Sequence, residues 1–293
     1  MKKHGLILID KPESLTSFAA LGHIKRTLQT RKIGHTGTLD PFATGLMVVL
    51  AGSYTRLADH ITGFDKRYTA TVRFGVATDT LDCDGQQIAH CSAPQAERLR
   101  AVVPQFIGRI EQQPPVYSAL KVGGRRAHRL ARAGVTLQMA SRPVEVFDLV
   151  LRHYDPPTAL FEVHCGKGTY IRSLARDIAQ ACGSCAHVSG LRRTAVGPFV
   201  VAEAVSPQQF DPGLHLWSAD RFIDRVPGIQ VVTLSGAAVE RVRHGGAIGG
   251  SDVVSRAPVP GACALMDKER NLLALADYDG AGFRYRCVLA AAG

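Results

Sequence analysis

Three long stretches of this sequence lack acid: residues 14 to 39, 112 to 144 and 178 to 202 contain no Asp or Glu. Over the whole chain, 25 acidic residues stand against 35 Lys and Arg, a net charge of +10. One-signed basic stretches of this length favour a polyanionic partner, nucleic acid first. Long apolar runs are also missing. The opening run of residues 6 to 9 is stopped by Asp10, short of the roughly 7–15 apolar residues of a secretory signal. No run approaches the roughly 18 residues of a membrane helix, so the expected location is the cytoplasm. The cysteines are few and scattered, seven in number. An odd, dispersed set argues against a disulfide framework. Cys182 and Cys185 form a lone CxxC without a second ligand pair, so two ordinary thiols at a helix end are expected and no metal.

Motifs of several chemistries are absent as well. GHTGTLDP at 34–41 and GKGT at 166–169 both lack the Gly-Lys-Ser/Thr ending of a phosphate loop, and no GxGxxG follows a strand. No GxSxG, HExxH or deaminase signature occurs. Nothing in the chain calls for a metal, a nucleotide or any other cofactor.

What is present reads as α+β. The 293 residues suit one large domain with a smaller one. Residues 5–10, 46–51, 68–75 and 160–165 read as strands, and 17–28 as a helix with apolar residues at Phe18, Leu21, Ile24 and Leu28. Further helices are predicted over 94–103, closed by Pro104, and over 170–181. Within 112–144, KVGGRRAHRLARAG joins a Gly-Gly turn to a helix-prone basic run. Residues 206–228 look like a proline-rich connector. Beyond it, strands at 229–232, 262–266, 272–276 and 286–290 suggest a small β-rich domain over 229–293, after a larger domain over 1–228.

One carboxylate, Asp40, sits in the Gly- and Thr-rich loop GHTGTLDPFATG behind the first acid-free run. Asp-Pro is an ordinary turn dipeptide. Nearby Lys and Arg, however, would keep this carboxylate ionised, and an ionised carboxylate drawn from water can act as nucleophile or base.

The chain also carries GLILIDKPESLTS, GHTGTLDPFATGLM, KRYTATVRFGVATDTLDCDG, QQPPVYSALKVGGRRAHRLAR, CGKGTYIRSLARDIAQACG and LRRTAVGPF in that order. In these it resembles the TruB family, bacterial tRNA pseudouridine-55 synthases related to the dyskerin-like enzymes. The resemblance spans residues 5 to 200. More weakly, the C-terminal part is similar to the family's PUA-like domain. Ser14 and Gly166 stand where the family has glycine and serine, and His128 where it has tyrosine.

The resemblance implies an isomerase that turns uridine 55 of the tRNA T loop into pseudouridine, without cofactor. It implies a mixed-sheet catalytic domain with a basic thumb. Asp40 would be the nucleophile, with Tyr68 stacked on the base and Arg172 paired with Asp40. Tyr170 would line the pocket and Leu191 contact the base, while His35 fills the gap left when the base flips out. Lys11, Lys66 and Lys167 would take phosphate or structural roles, and the thumb residues Lys121, Arg125, Arg126, Arg129 and Arg132 would clamp the T stem-loop. The partner would be tRNA, with no membrane and no nucleotide cofactor, and the protein a monomer. Two other readings fit the basic composition: a non-catalytic tRNA-binding or tRNA-folding protein, and a synthase acting on another RNA.

Overall fold

The structure, a computed structural model, describes residues 3–118, 120–135 and 137–289, and of Lys121, His128 and Arg132 the backbone alone. Two compact units result. The first joins Met1–Asp40, Leu46–Thr62 and Gly197–Gly293; the second joins Pro41–Gly45 and Gly63–Val196.

In the first unit, β1 (Gly5–Lys11) is apolar and almost wholly buried, one residue longer than its sequence predicts. Helix α1 (Ser17–Thr27) starts where Thr16 accepts a hydrogen bond from the Ala19 N–H at 3.1 Å. It buries Ala20, Leu21 and Ile24 but leaves Phe18 outside, so only part of the apolar spacing faces the core. β2 (Ile33–His35) pairs antiparallel with β3 (Thr44–Ala51), His35 opposite Val49.

The second unit is built on β4 (Lys66–Phe74), β5 (Gly108–Gln112), β6 (Arg142–Asp155), β7 (Thr158–Cys165), helix α2 (Ile171–Ala181) and β8 (Ala186–Val196). The strands run antiparallel in the order β8-β4-β7-β6-β5. Thr44 and Gly45 of β3 add to β8 in parallel, which makes the sheet mixed, as expected. α2 buries Ile171, Leu174, Ala175 and Ile178 against Ala70, Val72, Phe161 and Val163 of the sheet. Two long strands, β6 and β8, were not read from the sequence. β8 carries Gly190 and two arginines instead of a clean alternation, and its strand character comes from pairing along β4. β4 begins at Lys66 because both neighbours continue the ladder there, to Cys165 and Val196.

The Gly-Gly turn and basic helix of the thumb form as predicted. Lys121–Val122 and Arg125–Arg126 pair across Gly123 and Gly124, both at positive φ, and Ala127–Arg132 is helical. The helix before Pro104 ends as expected, at Val102 with Val103 as its C-cap, though it begins at Ala96 instead of 94; the proline sits in the first turn of a tight 3-10 turn, Val103–Phe106, where no N–H is needed. The cysteine expectation is corrected. Cys91 and Cys185 form a disulfide with Cα atoms 5.8 Å apart, so Cys185 is not an idle thiol. The sequence could not show this, because the partners meet only when β8 returns beside β4.

The region read as a connector is packed into the first unit. Trp217 and Phe222 are buried, Phe199 sits edge-on to both, and Leu6 and Trp217 exchange two backbone hydrogen bonds. Beyond it lie β9 (Ile229–Thr233), α3 (Gly236–Arg243), β10 (Gly261–Met266), β11 (Leu272–Tyr278) and β12 (Phe283–Val288). These strands form the expected small sheet, in the order β9-β10-β11-β12, over a core of Val232, Leu234, Val242, Leu265 and Leu273. Ala290, the predicted end of the last strand, lies outside the described residues.

Candidate active site

The loop that carries Asp40 is anchored at both ends within the first unit. Thr36 donates its N–H to Val48 O at 3.0 Å and its hydroxyl to the same oxygen at 3.4 Å. At the other end, Ser17 at the start of α1 donates its hydroxyl to Leu39 O at 2.9 Å and accepts the Leu39 N–H at 2.8 Å. Asp40 itself is half-buried, as is His35. Lys11 is fully buried and holds the turn before α1, donating to Pro12 O at 2.9 Å and Leu15 O at 2.7 Å. It therefore acts as a structural cation. Ser14 in that turn has φ 63°, a left-handed conformation that glycine adopts more easily.

Pro41–Gly45 opens the second unit. Phe42 is buried in its core. Gly45 has φ 103°, and a Cβ there would lie 2.3 Å from Arg193 O and 2.7 Å from Arg193 N. The glycine that ends the motif is thus required by one strand passing close to another. Arg192 reaches the Thr44 hydroxyl at 3.4 Å.

Across β4 and β8, Tyr68 lies opposite Arg193, and Ala70 opposite Leu191. Tyr68 and Leu191 are partly buried and both pack against the core under α2. Lys66, two residues before Tyr68 and so on the same face of β4, is only 8% exposed and donates to Phe64 O. Burial pushes its ammonium down to about 8, and the neighbouring Arg193 adds to the effect. Lys66 is thus an interior cation, whereas Lys167, Arg125, Arg126 and Arg129 are exposed. The side chains of Lys121 and Arg132 lie outside the described residues.

Tyr170 and Arg172 open α2. The Tyr170 N–H donates to Gln112 Oε1 at 2.8 Å, and Gln112 Nε2 donates to Tyr170 O at 3.2 Å. Gln112 is buried, and its amide pairs with both backbone groups of the residue that precedes the helix, where the N–H has no partner inside the helix. One residue on, Gln113 O accepts from the Ser173 hydroxyl at 2.8 Å and from Arg176 at 2.9 Å. Arg172 is buried, 3.1 Å from the Asp82 carboxylate, and donates to Thr80 O at 2.7 Å and Tyr117 O at 2.9 Å. Asp82 accepts from the Thr80 hydroxyl at 2.5 Å and the Asp84 N–H at 3.2 Å. The guanidinium is thereby held on several sides.

Asp82, Gln112 and Ser17 were not among the candidate site residues read from the sequence. Each lies inside a quoted motif, TDTLDCDG, QQPP or LTS, but nothing local marks it as a partner of Arg172, Tyr170 or Leu39. A serine at Gly166 would meet Glu145 Cβ at 3.4 Å, an ordinary contact, so space does not force the glycine.

Comparison with known proteins identifies relatives of the chain. Residues 25–171 match the model of the TruB family pseudouridylate synthase N-terminal domain, and residues 172–226 that of the tRNA pseudouridylate synthase B C-terminal domain. The chain is 41% identical over 276 residues to the tRNA pseudouridine synthase B of Gluconacetobacter diazotrophicus, covering 89% of each. It is 42% identical over 260 residues to the same-named protein of Cupriavidus metallidurans, covering 85% of this chain and 82% of the relative. Among solved structures, a chain from the crystal structure of a Cbf5–Nop10–Gar1 complex shares the fold, with a TM-score of 0.73 and 24% identity over 99% of this chain and 86% of that one.

Proposed function

This chain belongs to the TruB family of pseudouridylate synthases, and from that premise we propose that it isomerises uridine 55 in the T loop of tRNA, with Asp40 as nucleophile. The observation that carries the reading is the Asp40 loop. It sets one carboxylate behind an acid-free run, on a loop held at Thr36 by β3 and at Leu39 by α1.

The chemistry balances without an imported group. The N1–C1′ bond breaks, the base turns, the C5–C1′ bond forms, C5 loses its proton and N1 gains one. Nothing is oxidised or reduced, so no cofactor is needed. Asp40 supplies the transient covalent bond that makes the departure of the base reversible. The target nucleotide must leave its stack, because the reacting atoms are out of reach inside the loop. Tyr68 stacks on the flipped uracil and helps move a proton. Tyr170 and Leu191 hold the base, and His35 occupies the space that the base leaves. Arg172, already fixed by Asp82 and two carbonyls, supplies a positive charge that does not need to reorganise during the reaction.

The exposed thumb arginines Arg125, Arg126 and Arg129 bind the phosphates of the T stem-loop, together with Lys121 and Arg132. This RNA is read by shape, backbone and unstacked bases. The catalytic part is assigned to residues 1–228, with the thumb at 112–144, and an RNA-binding part to residues 229–293. The protein works as a cytoplasmic monomer. Among the described residues, no helix is long and apolar enough to cross a membrane.

The test is tritium release from tRNA labelled at uridine C5. Wild type should release label and Asp40→Asn should not. A wild-type protein that binds tRNA tightly and releases nothing would overturn the enzymatic reading in favour of an RNA-binding protein. Release with an unmodified T loop would move the substrate to another RNA position.

A further inference from the structure

We propose that Ser17 is a positioning residue for Asp40, acting through the backbone of Leu39. The inference rests on Asp40 being the nucleophile. The Ser17 side chain is buried, with the residue 4% exposed, and its hydroxyl makes two short bonds to one residue, to Leu39 O at 2.9 Å and from Leu39 N at 2.8 Å. Both polar groups of the Leu39 backbone are thus taken by a single side chain.

The Leu39 carbonyl is part of the planar peptide group that contains the Asp40 nitrogen. Holding that oxygen fixes the plane from which Asp40 begins, and leaves the carboxylate only its own φ, ψ and side-chain torsions. Leu39 is itself 4% exposed, so its side chain cannot swing to release the strain of a displaced backbone. Upstream, Thr36 is tied to Val48 by its N–H and its hydroxyl. The loop is therefore pinned on the strand side by Thr36 and on the helix side by Ser17.

The Ser17 hydroxyl has no duty in the helix. Capping is done by the residue before it, Thr16, which accepts the Ala19 N–H. Serine at the first helical position would ordinarily be interchangeable with many residues. Here its hydroxyl is spent on a residue distant in sequence, next to the only carboxylate of the loop. A covalent step needs its nucleophile placed within a fraction of an ångström. Without the hydroxyl, Leu39 would keep its packing but lose the bonds that set the orientation of the peptide leading into Asp40.

The experiment compares full-length variants in single-turnover tritium release with saturating enzyme, alongside tRNA binding and thermal midpoint. Ser17→Ala is expected to slow release about 10- to 100-fold while tRNA affinity stays at the wild-type level. Ser17→Thr, which keeps the hydroxyl, is expected to recover most of that rate. Thr16→Ala removes the cap of the same helix without touching Leu39. It should lower the thermal midpoint and leave release near the wild-type rate. Wild-type release by Ser17→Ala overturns the proposal. So does equal slowing by Thr16→Ala and Ser17→Ala, since helix integrity would then explain both. Full activity of Asp40→Asn would instead defeat the functional reading on which the inference rests, whatever Ser17→Ala does.

Discussion

Arg172 and Asp82 form a buried ion pair at 3.1 Å, their side chains 4% and 7% exposed. Arg172 opens α2, Asp82 lies in the turn between the paired strands Val76–Thr78 and Gln87–His90, and the pair joins the two. A buried ion pair is weak evidence for stability in itself, but removing one partner leaves a charge that water cannot reach.

Asp82→Ala should therefore destabilise the protein by about 3 kcal/mol, read as a lower denaturant midpoint at unchanged slope. The carbonyls of Thr80 and Tyr117 would still hold part of the guanidinium, so Asp82→Asn should cost less than Asp82→Ala. Both should lower the turnover rate more than tRNA affinity, because the displaced group is Arg172 and not the thumb. Equal stability of Asp82→Ala and wild type would show that the pair contributes nothing.

Lys66 makes stability depend on pH in the alkaline range. Its pKa is lowered in the folded protein, from the usual 10.5 to about 8. The unfolded chain thus holds the proton more tightly, and the native state carries a penalty at pH below 8. That penalty fades as pH rises through the window from 8 to 10.5, because there the unfolded state binds more protons than the native one. Arg193, Lys167, Asp65 and Cys165 also face this ammonium, with the two cations lowering its pKa and Asp65 and Cys165 raising it. Relative to Lys66→Met, wild type should gain up to about 3 kcal/mol across this window. A difference between the two proteins that stays flat from pH 8 to 10.5 would contradict it.

Ser14 holds a left-handed backbone conformation at φ 63°. Ser14→Gly removes the steric cost of a Cβ there and should raise stability by about 0.5–1 kcal/mol, net of the greater freedom of glycine in the unfolded chain. A denaturation curve measures this directly. Activity should be unchanged, since Lys11 still holds the same turn through Pro12 O and Leu15 O.

Salt dependence tests the thumb. Arg125, Arg126 and Arg129 are exposed and lie in an acid-free segment. Replacing all three with Gln should make the plot of log affinity against log salt less steep by roughly 2 to 3. An unchanged slope would mean that these arginines do not meet phosphates.

Local signals carried much of the fold. The apolar spacing at Leu21, Ile24 and Leu28 marked α1, and alternation marked β4 and β7. The Gly123-Gly124 pair marked the thumb hairpin. Each is a property of a short window, set by helix and strand periodicity or by the φ freedom of glycine. β8 had no such window, because its faces are set by the strands beside it, and in β6 the alternation is confined to the short stretch around Val144 and Val146. The same division runs through the candidate site.

Sequence by itself determined the chemistry available: one carboxylate in a Gly- and Thr-rich loop, basic stretches without acid, and an ordered set of motifs that placed the chain in its family. Only the tertiary structure decided who holds whom. It put Ser17 on Leu39, Gln112 on Tyr170, Asp82 on Arg172 and Cys91 on Cys185, and it buried Lys66, for which the sequence left a phosphate or a structural role open. The physical reason is that hydrogen bonds, ion pairs and burial depend on distance in space, and these partners are far apart along the chain. Residue type limits what a side chain can do, but its partner is chosen when the sheet forms and α2 packs on it.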